Sequence, residues 1–348
     1  MNYDRIFLNK AATEAGFIQD TFEKVSRLSE VLSSISSDEF LSQRLALKGG
    51  TAINLAFFNL PRLSVDIDLD YTKNSGRDEM LAERELITLK LNSIMEELGY
   101  DIKAEKTKNV HALYSNIYTY QKSSGGMDNL KVETNYMLRS HVLGIKPYET
   151  KELKGISKAR INCVHPIEIF GAKITALLTR GAARDLYDVR NLVNNMGNFS
   201  KEQSDMLRKC AIFYMVLNSD KPFEKFDVSN VDLISQQKIR TDLLPVLGYS
   251  ERKKGGFNLK ETQNAVKNSL TDFLQMTDKE KAYVQSFFNG QYKPELLFED
   301  KSITNFDTKI AISRIQNHPM VNWKQQKIAE HKTEIAATAP QSPQKYKR

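Results

Sequence analysis

A chain of 348 residues with 41% hydrophobic, 9% aromatic and 27% charged residues has enough apolar side chains for one large core or two ordinary ones, which excludes disorder as a whole. Two cysteines, Cys163 and Cys210, exclude a disulfide framework, and the five histidines (His111, His141, His165, His318, His331) never stand at zinc-ligand spacing. The net charge of +7 is uneven: Lys324, Lys327, Lys332, Lys345, Lys347 and Arg348 against Glu330 and Glu334 put +4 at the C-terminal end, which suits either a polyanion partner or a merely solvated tail.

In chain order, Phe17, Ile18, Phe22, Val25, Leu28, Leu32 and Ile35 predict an amphipathic helix over 17–36. Lys48-Gly49-Gly50-Thr51 reads as a turn, 52–58 as a short apolar helix, and 59–63 around Pro61 as a loop. Residues 64–71 alternate as a strand, with Val65, Ile67, Leu69 and Tyr71 on one face and Ser64, Asp66, Asp68 and Asp70 on the other. A helix over 79–98 stops at Gly99, and strands over 113–120 and 130–138 flank a turn at 123–129. A short strand at 161–164 precedes Pro166, which opens a helix with the stripe Ile167, Phe170, Ile174 and Leu177. Gly181 breaks it, and a second helix covers 183–194. Past Ser200 the pattern is helical, near 202–217, 229–240, 260–276 and 278–289, the last with a Thr277–Glu280 capping box and a stop at Gly290.

The expected fold class is therefore α+β, a mixed sheet flanked by helices over 1–200, then a helical domain over 201–335 and a disordered basic tail over 336–348. No apolar run approaches the roughly 20 residues that cross a bilayer, and the N-terminus has no signal-like stretch. A soluble cytoplasmic protein without membrane contact is expected.

Alternate acids on one strand face repel unless a cation lies between them. Asp66 and Asp68 project the same way, roughly 7 Å apart along an ideal strand. That spacing suits one hard divalent ion or a close pair, Mg²⁺ or Mn²⁺, and equally suits a soluble edge strand. Gly49 and Gly50 permit a tight turn, and Thr51 opens a helix whose N-terminus attracts phosphate. Lys173 and Arg180, seven apart, read as exposed on one helix face. Arg184 and Asp188, four apart, read as a plain helix salt bridge, and Asp185 as a first-turn charge favourable to the helix dipole. No G-x-x-x-x-G-K-[ST] occurs, which excludes a P-loop. No G-x-S-x-G accompanies His165, and Cys163, Cys210 and the tyrosines Tyr114, Tyr118 and Tyr120 read as packed side chains.

The run KGGTAINLAFFNLPRLSVDIDLDY, with GG-T followed by R-x-S-x-D-x-D-L, resembles the AbiEii/AbiGii toxin family, nucleotidyltransferases of polymerase-beta-like fold from type IV toxin–antitoxin systems. KITALLTRGAARDLYDV resembles the family's later K…R…RD-x-x-D motif. The resemblance implies Gly49, Gly50 and Thr51 against the NTP phosphates, with Ser64 beside them, and Asp66 and Asp68 as the metal pair. It implies Glu133 as the third acid on a neighbouring strand, Lys173 and Arg180 on the triphosphate, and a functional role for Asp185. It further implies transfer of NMP from NTP to an RNA acceptor such as the tRNA 3′ end, which blocks translation, and a cognate antitoxin acting without a stable complex. Transfer to a protein hydroxyl, and a nucleotide- or RNA-binding module without turnover, are the alternatives.

Overall fold

The computed structural model describes residues 3–58, 60–102, 108–110, 113–152, 154–253 and 255–338. Among the described residues eight strands form one mixed sheet: β1 (Leu45–Leu47), β2 (Asp66–Tyr71), β3 (Asp101–Ile102), β4 (Lys108–Val110), β5 (Leu113–Gln121), β6 (Met127–Asn135), β7 (Ile145–Glu149) and β8 (Arg160–Val164). Their order is β3-β5-β6-β2-β1-β8-β7, with β4 also on β5. β2 is parallel to β6 and antiparallel to β1, and β1 is parallel to β8. The alternating strand thus lies inside the sheet, with Ile67, Leu69 and Tyr71 fully buried. A solvent-facing edge strand is excluded for these acids.

Local chemistry explains where elements depart from expectation. The hairpin turn is tighter than the pattern suggested: Gly125 and Gly126, both at positive φ, turn the chain, so β6 begins at Met127 rather than at 130. It ends at Asn135, whose Oδ1 accepts from the Met137 and Leu138 amides at 2.8 and 3.2 Å. The segment over 52–58 is a wide π-type turn, the Phe58 amide donating to the Ile53 carbonyl five residues back at 2.8 Å. The helix expected over 229–240 is broken. Asn230 Nδ2 donates to the Leu178 carbonyl at 2.8 Å and Gln263 Nε2 to those of Val231 and Ile234, while Ser235 caps a new turn. Pro147 lies in β7, at the end of the strand order, where a missing N–H is tolerated.

Among the described residues no named strand follows β8, as the helical pattern past Ser200 predicted. The Lys201–Asn218 helix packs on the Pro166–Arg180 helix, and Thr175 Oγ1 donates to the Ala211 carbonyl at 3.1 Å. One apolar cluster runs from Leu8 to Val321, so the helical half and the sheet share a core. The capping box joining Thr277 and Glu280 is formed. Cys163 and Cys210 are buried, and burial pushes the Cys163 thiol up to about 12. The Pro319–Thr338 helix reaches into the segment read as a tail, and 339–348 lie outside the described residues. No described helix is long and apolar enough to cross a membrane.

Candidate active site

The glycine turn and β2 are built against each other. Gly49 stands at φ +66, and a Cβ there would lie 2.5 Å from Asp68 Oδ2, so both the left-handed backbone and the close approach need glycine. Gly50 is crowded instead by Arg62 Nη2 and Ser64 Oγ, 2.7 and 3.1 Å from an added Cβ. Thr51 is buried, its hydroxyl donating to the Asp66 carbonyl and lying 2.9 Å from Ser64 Oγ. It ties the turn to the strand and lines neither lobe of the cleft described below.

Glu133, expected on a neighbouring strand, lies on β6 as the parallel register partner of Asp68 on β2. Burial foremost pushes the Asp68 carboxyl above its ordinary range; Lys48 opposes this, and the Asp66 and Glu133 charges add to it. The flanking acids hold cations, Asp66 with Arg184 Nη1 at 3.3 Å and Glu133 with Lys131. Among the described residues no group of three or more His, Cys, Asp and Glu side chains is gathered for a metal ion. The donor set still fits one. Asp66, Asp68 and Glu133 offer only hard oxygens, and crowding of like charge is what a divalent cation relieves. Asp70, the last acid on this face, is buried with Oδ1 2.5 Å from Lys48 Nζ.

Lys173 is not exposed, as its helical spacing suggested, but buried. Its Nζ lies 2.8 Å from Asp185 Oδ1 and 3.3 Å from Asp188 Oδ2. Burial favours its neutral form, yet the charges of Asp185 and Asp188 outweigh that and raise its pKa. Burial likewise opposes ionisation of Asp185, and Lys173 with Arg180 reverses the balance, lowering it to about 2. Arg180 Nε meets Asp185 Oδ2 at 2.7 Å while its side chain stays 64% exposed, so one end of the chain of charges opens to solvent. The expected Arg184–Asp188 pair does not form. Asp188 accepts from Arg62 Nε and Nη2, both at 2.7 Å, and Arg184 Nε turns to the Asp242 carbonyl at 2.8 Å. Helical spacing is a weak force beside a buried bidentate partner.

Arg62, Asp188, Lys48 and Asp70 are the residues that sequence reasoning left without a site role. Arg62 had a signal. It begins R-x-S-x-D-x-D, and period two places Arg62, Ser64, Asp66, Asp68 and Asp70 on one face.

The cleft has two lobes meeting at Asp68, Lys173 and Arg180. One, of about 330 Å³, is lined by Gly50, Arg62, Ser64, Asp66, Arg184 and Asp185 among others. The other, of about 350 Å³, holds Gly49, Glu133 and Asp70 and runs between the Pro166–Arg180 and Lys201–Asn218 helices.

A glycine turn packed on a strand of paired carboxylates, with Glu133 in register on the parallel neighbour, sets a close backbone approach beside hard oxygen donors, chemistry suited to phosphate and a divalent cation. The fold agrees: MenT4, a nucleotidyltransferase toxin from Mycobacterium tuberculosis H37Rv, is similar over 90% of this chain and 99% of its own, with a TM-score of 0.58 at 14% identity. At that identity the likeness is one of fold. The profile of the nucleotidyl transferase AbiEii toxin family, type IV toxin–antitoxin system, matches residues 30–278, and the chain belongs to that family. It is a nucleotidyltransferase toxin. No protein of curated function matches it in sequence.

Proposed function

We propose that this toxin transfers a nucleoside monophosphate from an NTP to an RNA hydroxyl, the new bond to the α-phosphorus replacing the bond to the departing pyrophosphate, with the tRNA 3′ end as acceptor, and that the reaction depends on a divalent metal. One observation carries the reading: Asp66, Asp68 and Glu133 bring three oxygen-donor side chains to two adjacent strands beside the left-handed Gly49. These three residues would hold Mg²⁺ or Mn²⁺, which supplies charge stabilisation on the reacting phosphates. Arg180 and Arg184, the more exposed cations of the cleft, meet the triphosphate, and Lys173 adds fixed positive charge at the junction of the lobes. Glu133 accepts the proton of the attacking hydroxyl. The acceptor's backbone phosphates are met by basic side chains outside the cleft, so binding weakens as salt rises. The antitoxin of the type IV system acts in this reading without a stable complex.

Purified protein is incubated with total RNA, Mg²⁺ and each labelled NTP in turn. Label in RNA of tRNA size, lost with EDTA, is expected. Label in protein instead moves the acceptor to a protein hydroxyl, and no label with any NTP overturns the proposal.

A further inference from the structure

The two lobes differ in chemistry. The lobe around Arg62 and Arg184 has Ala182 and Ala183 as its apolar lining, and its wall otherwise is polar or charged. The other lobe has an apolar wall of Leu138, Val164, Ile169, Ala172 and Ala176. Ile169, Ala172 and Ala176 repeat at i, i+3 and i+7, a second stripe on the Pro166–Arg180 helix beside its core stripe. Two of the three are alanines. Larger side chains there would fill the space, so small residues at 172 and 176 keep the lobe open.

The cations lie mainly on the other side: this lobe sets Lys48, Lys173 and Arg180 against Asp68, Asp70, Glu133 and Glu168, while the neighbouring lobe adds Arg62 and Arg184 to the shared Lys173 and Arg180. Lys48 pairs with Asp70 at 2.5 Å, deep in this lobe. At the inner wall Glu168 is fully buried and accepts from Tyr214 Oη at 2.7 Å, while Thr179 and Asn218 bring polar groups to the more exposed end. An apolar wall with a few hydrogen-bonding groups, within the roughly 300–1,000 Å³ of small-molecule sites, suits a base and a sugar.

We propose that this lobe binds a neutral nucleoside, base and ribose, while the phosphates lie in the neighbouring lobe, and that Ala172 and Ala176 admit it. The inference rests on the nucleotidyl-transfer reading of the same cleft. Both substrates of that reaction carry a nucleoside, the NTP and the last residue of the RNA, and the experiment separates them.

Binding is measured by calorimetry with Mg²⁺ and three probes: tripolyphosphate, each of the four NTPs, and a short RNA ending in CCA. The variant is Ala176→Phe, which fills the lobe while leaving every charged residue of the cleft in the sequence. Tripolyphosphate binding is expected unchanged. A tenfold or greater weakening of the NTPs, toward the affinity of tripolyphosphate, assigns the lobe to the NTP nucleoside. The same weakening of the RNA alone assigns it to the acceptor. If neither changes, or if tripolyphosphate weakens equally, the proposal is overturned. Should Ala176→Phe fail to fold by circular dichroism, Leu138→Ser removes apolar wall from the opposite side and is judged by the same outcomes. Binding needs no turnover, so a chain that labels nothing in the transfer assay while these affinities respond would sink the transfer reading and leave the nucleoside site standing.

Discussion

Arg62 and Asp188, 126 residues apart in sequence, grip each other through two hydrogen bonds of 2.7 Å with both side chains almost wholly buried. The pair joins the loop before β2 to the Ala183–Asn195 helix, and Asp188 passes the contact on to Lys173. Arg62, Asp188, Lys173 and Asp185 therefore form one buried network of charges, which Arg180 carries to the surface.

Breaking the pair from one side leaves a buried charge without its partner. Arg62→Met and Asp188→Leu should each destabilise the protein by about 3–5 kcal/mol, and the double variant should recover a substantial part. Urea midpoints at constant m-value measure this. Single variants within 0.5 kcal/mol of wild type would show that the network does not support the fold.

Lys173→Ala removes the cation between Asp185 and Asp188, so it should lower both the melting temperature and NTP use. The KM for NTP should rise more than the Kd for RNA, because the ammonium stands where the two lobes of the cleft meet. Lys173→Arg should rescue incompletely, since a planar fork does not fit where a compact ammonium lies between two carboxylates. Full rescue by arginine would contradict this placement.

Much of this was legible in the sequence because the signals were local. Period-two alternation revealed β2, Pro166 and Gly181 bounded their helix, and the spacing of Gly49, Asp66 and Asp68 marked the site. What stayed hidden depends on distant partners. Nothing local shows that Lys173 is buried, because its cost of burial is offset by Asp185 and Asp188 on another helix. β1 is three buried residues, too short to display a period, and Asp188 chose Arg62 over the helical neighbour Arg184.

Gly49→Ala should cost more activity than Gly50→Ala. At Gly49 the methyl group meets Asp68 Oδ2 at 2.5 Å and the backbone is left-handed, so both the Asp68 carboxylate and the turn must move. At Gly50 the nearest obstacle is a side-chain nitrogen of Arg62, and φ is not positive. Transfer rates of the two variants at matched folded fraction decide it; equal loss would remove the special status of Gly49.

The pH dependence of stability should show a histidine limb. Burial foremost, with the nearby charge of His141, lowers His318 from 6.5 to about 4, Glu168 opposing. Below pH 6.5 the unfolded chain takes up this proton while the folded chain does not until about pH 4. Acidification across that window therefore favours unfolding, by up to about 3 kcal/mol. His318 Nδ1 accepts from the Met320 amide at 3.1 Å, so His318→Asn keeps an acceptor and should flatten the limb. An unchanged slope between pH 6.5 and 4 would assign the titration elsewhere.

The most direct test compares nucleotide transfer by wild type and by Asp68→Asn under saturating NTP, RNA and Mg²⁺, alongside their melting temperatures. Asp68 is crowded by Asp66 and Glu133, so neutralising it relieves repulsion while removing a metal-type ligand. The account predicts transfer at background with a melting temperature equal to or above that of wild type. An Asp68→Asn protein that labels RNA at a rate near wild type would contradict it.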